Sequence, residues 1–128
     1  GAQIDEDTSQ LAVCLETILG YAGSARNVQA LLDKGMTATQ ILAEGISDAR
    51  ILELSGVSLD AILYYVNQDI PVLASFNDNS AVLVIGFNEQ NIVVMDPKTG
   101  TIYKKGMNDS AQWFEENGNQ FVTYVYEK

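Results

Sequence analysis

Apolar residues in the first half of the chain recur at helical spacing. Leu11, Cys14, Leu15, Ile18, Leu19 and Ala22 fall on one face, predicting a helix that Thr8 or Ser9 could cap and Gly23 stops. Two shorter helices follow. Asn27 caps the segment Val28 to Lys34, ended by Gly35, and Thr37 with Gln40 has capping-box spacing for a helix ending near Gly45. Ser47 to Val57 fits either a short helical turn or a connector. Ser58 then caps a helix whose stripe is Leu59, Ile62, Leu63 and Val66, and Pro71 marks the break.

Beyond Pro71 the pattern becomes extended. Pro71 to Phe76 reads as a strand, with Asn77-Asp78-Asn79 as the turn after it. Ala81 to Phe87 is apolar on both faces, which predicts a central strand. Asn91 to Met95 is the next, and Asp96-Pro97-Lys98-Thr99-Gly100 turns the chain into Thr101 to Lys105. Asp109 is the expected cap of a short helix carrying Trp113 and Phe114 and closed by Gly118. Gln120 to Tyr126 alternates as a last strand. Helices first and antiparallel strands later predict an α+β fold, and no repeat or internal linker divides residues 1–128 into more than a single domain.

Composition narrows the chemistry. A net charge of -10 disfavours nucleic acid and anionic lipid as partners, because both are recognised by basic surfaces. The single cysteine, Cys14, excludes an internal disulfide. No apolar run approaches a membrane span, and no signal peptide is visible. The start at Gly1-Ala2 suggests a segment excised from a longer protein. The chain has no histidine, which removes Ser-His and Cys-His pairs and histidine-bearing zinc sites. No cofactor or metal is expected.

The ordered motifs resemble those of the papain-like, bacteriocin-processing peptidases that cleave after a double glycine. Cys14-Leu15-Glu16-Thr17-Ile18-Leu19-Gly20-Tyr21-Ala22-Gly23 is similar to the family's first helix, where a Cys-Gly-Pro-Ala-Cys-Leu run leads into an apolar helix ending Tyr-Tyr-Gly. Ile70-Pro71-Val72-Leu73-Ala74 resembles its Pro-Val-Ile strand. Ser80-Ala81-Val82-Leu83-Val84-Ile85-Gly86-Phe87 resembles its His-Tyr-Val-Val-Val-x-Gly-Tyr strand. Met95-Asp96-Pro97 resembles its Val-x-Asp-Pro turn, and Trp113-Phe114 matches an aromatic helix. The resemblance implies a papain-like fold with N-terminal helices packed on a C-terminal antiparallel sheet.

Matched position by position, the resemblance also implies that the catalytic groups have changed. Cys14 falls on the second cysteine of the run, and the nucleophile position holds Gln10. The general-base histidine maps to Ser80, whereas the orienting aspartate is kept as Asp96. Gln3 is the candidate for the oxyanion-hole glutamine, at a spacing to Gln10 longer than the family's. An amide cannot attack a carbonyl, and a serine hydroxyl is no base near pH 7. The expectation is an inactive peptidase homologue, a peptide- or protein-binding module at the cell surface or secreted, with the cytoplasm as the alternative. The rival readings are a hydrolase with a rearranged site, using Ser80 or Cys14 with Asp96, and a purely structural domain of a larger surface protein.

Other residues have plainer readings. Cys14 shares a stripe with Leu11, Leu15 and Ile18 and reads as a core hydrophobe. Asp96 reads first as the cap of its own turn. Asp5-Glu6-Asp7 and Asp78-Asn79-Ser80 lack the glycine and distal glutamate of an EF-hand and read as solvated polar segments. Tyr64, Tyr65, Phe76, Trp113 and Phe114 could line a peptide groove, but aromatics at such spacings belong more often to the core.

Overall fold

A computed structural model describes residues 8–126. Four helices come first or early: α1 (Gln10–Tyr21), α2 (Val28–Asp33), α3 (Ala38–Gly45) and, after strand β1 (Ala49–Glu53), α4 (Leu59–Val66). Then come β2 (Val72–Ser75), β3 (Ala81–Phe87), β4 (Asn91–Met95), β5 (Ile102–Gly106), α5 (Met107–Glu116) and β6 (Gln120–Tyr126). Side chains place the helix starts as the local chemistry predicts. Ser9, Asn27, Thr37 and Ser58 each accept a bond from a first-turn N–H, and Thr37 with Gln40 closes the full capping box.

The six strands form one antiparallel sheet in the order β1-β6-β2-β3-β4-β5. Its two faces explain why β2 and β3 carry no polar side. Leu73, Ala81, Leu83 and Tyr124 pack with Ala12, Cys14, Leu15, Ile18 and Leu19 of α1, and with Ile41 and Leu42 of α3. Val72, Ala74, Val82, Val84, Ile92, Val94 and Phe121 face Ile62, Leu63 and Val66 of α4 and Phe114 of α5. The sheet is thus sandwiched, and period-two alternation sends apolar side chains into two separate cores.

Two local expectations are corrected. Ser47 to Val57 is neither helical turn nor plain connector, because Ala49–Glu53 pairs with β6, Ile51 opposite Tyr124. Asp109 does not cap α5. Gly106 occupies the cap position without a side-chain bond, and the Met107 N–H donates to the Gln90 carbonyl at 2.8 Å instead. Asp109 lies in the first turn, where its charge still suits the helix dipole. Gly118, at φ +83°, does end this helix.

Candidate functional site

The N-terminus of α1 meets the start of β3, which brings two of the family-matched positions to one place. Ser9 caps the helix by accepting from the Ala12 N–H at 3.1 Å, and its own N–H donates to Gln29 Oε1 at 2.9 Å, fixing the entry against α2. Gln10, the first helical residue, reaches across to β3, where its Oε1 accepts from the Ala81 N–H at 3.4 Å. Ala81 directly follows Ser80. On the next strand Met95 pairs with Leu83, so Asp96 lies one residue beyond that register pair, at the same end of the sheet. Gln10, Ser80 and Asp96 therefore lie on neighbouring elements.

Their side chains are otherwise engaged. The Ser80 hydroxyl donates to Asp78 Oδ1, and the Ser80 N–H donates to the same oxygen at 3.0 Å. These bonds to Ser80 hold the Asp78 carboxyl below its ordinary range, and Asn79 turns the chain at φ 68°. Asp96 closes its own turn: its Oδ1 accepts from the Lys98 N–H at 2.9 Å and its carbonyl from the Gly100 N–H at 2.8 Å. Both acidic turns use their oxygens on backbone donors, the ordinary Asx arrangement. Among the described residues no cluster of three or more His, Cys, Asp or Glu gathers that could hold a metal.

Cys14 lies one turn further along α1 and is fully buried, between Leu15, Ile18 and the β3 side chains. Burial, with the Asp96 carboxylate adding to it, pushes its thiol up to about 12. That is the reverse of an activated thiol, whose ionisation is eased by a positive neighbour or a helix start. The space between α1 and β3 is filled here, since Ala12, Cys14, Leu15, Ala81 and Leu83 are all buried.

The aromatic set divides in two. Phe76, Trp113 and Phe114 stack on one another, with centroids 4.5 Å apart for Phe76–Trp113 and 5.1 Å for Trp113–Phe114, and Phe121 closes the cluster edge-on. Tyr65 packs against that core, whereas Tyr64 is exposed. Gln3 and Asp5-Glu6-Asp7 lie outside the described residues.

An open cleft does exist, but at the far end of α1. It has a volume of about 710 Å³ and is lined by Tyr21, by Gln68 to Pro71 after α4, by Ile85, and by Tyr124 to Tyr126 of β6. None of Gln10, Ser80 or Asp96 contributes to it. These lining residues come from four separate stretches of chain, and no local pattern in the sequence joins them.

The arrangement of a sheet between two helical layers matches the fold of a C39-like peptidase of known structure. Among solved structures, the chain is similar to a Bacillus anthracis protein whose crystal structure is described as that of a "putative C39-like peptidase". The two superpose with a TM-score of 0.77 over 94% of this chain and 90% of that one, at 14% sequence identity. No protein-family model matches the sequence. No curated protein matches it either.

Proposed function

We propose that this chain is a non-catalytic relative of the C39-like peptidases, retained as a peptide- or protein-binding module. The observation that carries the reading is Gln10. An amide stands at the position matched to the nucleophile and spends its oxygen on the Ala81 N–H, in a chain without a single histidine. Amide hydrolysis by the thiol mechanism needs a thiolate and a base to protonate the departing amine. Loss of such groups typically costs ~10⁴-fold or more in rate. Ser80 donates to Asp78 and Cys14 is sealed in the core, so neither favours the rearranged hydrolase. No helix among the described residues is long and apolar enough to cross a membrane. A secreted or cell-surface setting, within a larger protein, is part of the proposal.

The test is a peptidase assay on an internally quenched library of unstructured peptides, run beside two-dimensional NMR titration with the same peptides. The reading expects no turnover and saturable shifts from at least one peptide class. Turnover that disappears in Cys14→Ala would overturn it. Silence in both experiments would leave a purely structural domain.

A further inference from the structure

The lining of the cleft at the far end of α1 includes an aspartate placed where the backbone favours glycine. Four helices of this chain end in the same pair of backbone bonds. In α1, Gly23 donates to Gly20 and Ser24 to Leu19; in α2, Gly35 donates to Leu32 and Met36 to Leu31; in α5, Gly118 donates to Glu115 and Asn119 to Phe114. Each of these uses glycine at positive φ for the left-handed residue of the motif. In α4, Asp69 donates to Val66 at 3.0 Å and Ile70 to Tyr65 at 3.1 Å, and the left-handed residue is Asp69 itself, at φ 62°. Of these four ends, the one without glycine contributes its left-handed residue to the cleft lining. Aspartate and asparagine tolerate this region better than other side chains, as Asp48, Asn79 and Asn119 do elsewhere among the described residues, and of the four only Asp69 lines the cleft.

The rest of the lining matches that carboxylate. The C-terminal ends of α1 and α4 both arrive at the cleft, each carries partial negative charge, and neither has a basic residue in its last turn. No lysine or arginine is among the lining residues. Tyr21 and Tyr126 are 71% and 56% exposed, which leaves ring faces uncovered, and Tyr126 is braced edge-on by buried Tyr124 at 5.6 Å. Ile70, Pro71 and Ile85 supply an apolar floor, and Ile85 is offered there by the bulge in β3 between Val84 and Gly86. Acceptor oxygens, exposed π faces and a greasy floor suit a planar cation with many N–H donors on an aliphatic stem. A quaternary ammonium would use the rings but could not donate to Asp69 or Gln68.

We propose that this cleft binds an arginine side chain of a basic peptide, with Asp69 pairing to the guanidinium and Tyr21 and Tyr126 covering its faces. The inference names an occupant for the binding module proposed above. It depends on that reading only for the ligand being a peptide, because the cleft is remote from Gln10, Ser80 and Asp96. The chain's net charge of -10 would draw such peptides in and make their capture sensitive to salt.

The experiment is an NMR and calorimetric titration with acetyl-Gly-Arg-Gly-amide, its citrulline counterpart, which has nearly the same shape without the charge, and choline. The arginine peptide should give saturable shifts at Ile85, Val125 and Tyr126, and the citrulline peptide should bind about tenfold more weakly or worse. Asp69→Asn, which tolerates the left-handed backbone, should weaken the arginine peptide about fivefold, and Asp69→Gly should do the same in a chain with the helix end its sister helices use. Equal binding of citrulline or choline, no effect of either Asp69 variant, or no saturable shift would each overturn the assignment. Peptide cleavage in the separate assay would refute the non-catalytic reading and leave this one standing.

Discussion

The sharpest quantitative consequence concerns the Cys14 thiol. Its ionisation is raised from 9.0 to about 12, a difference that lowers the thiolate population about a thousandfold at any pH below 9. Burial leads and Asp96 follows, so removing the carboxylate recovers only the smaller part. Zero exposure adds a second barrier, because a reagent reaches the sulfur only when α1 lifts from the sheet. The expected outcome with Ellman's reagent at pH 8 is therefore labelling at least ~10³-fold slower in native buffer than in guanidinium, where the thiol is free. Asp96→Asn should leave native labelling slow. Stoichiometric reaction of the folded protein within minutes, abolished in Asp96→Ala, would refute the reasoning, and with it the view of Cys14 as packing.

Two further outcomes follow from the same interior. The native state holds the proton on Cys14 up to about 12, and on Tyr124 likewise up to about 12, whereas the unfolded chain releases them from about 9 and 10. The unfolded state therefore binds fewer protons across that window, and stability falls as pH rises through it. Urea midpoints should drop between pH 9 and 11, and Cys14→Ala should flatten the first part of the slope. Thr123→Val keeps shape but removes the buried hydroxyl that donates to the Pro71 carbonyl at 2.9 Å, stranding an acceptor beside β6. About 1–2 kcal/mol of destabilisation is expected by thermal or urea unfolding, with the fold unchanged in circular dichroism.

What the sequence reveals of this fold depends on how local each determinant is. Ser9, Asn27, Thr37 with Gln40, and Ser58 act within one turn of their own helices, so the caps read from residue spacing reappear as bonds. The doubly apolar run Ala81 to Phe87 likewise announces a strand covered on both faces. β1 was hidden because Ala49-Arg50-Ile51-Leu52-Glu53 lacks clean alternation, and its pairing partners lie 69 to 77 positions away in β6. The start of α5 was hidden for the same reason: the bond that holds it comes from Gln90, on the turn before β4. The matched positions Gln10, Ser80 and Asp96 could be named from the ordered motifs, but not that Ser80 would turn to Asp78. The cleft was invisible, since Tyr21, Asp69, Ile85 and Tyr126 meet only once the sheet has formed.

The place of β6 has a consequence for how the chain must assemble. It is the last strand among the described residues, yet it is inserted between β1 and β2, whose nearest residues precede it by dozens of positions. Until it arrives, the sheet is two fragments with bare backbone facing a gap, the geometry that invites intermolecular pairing. Synthesis from the N-terminus thus leaves β1 apart from β2 until β6 closes the gap between them, which makes the docking of β6 the step at which this architecture is most easily lost.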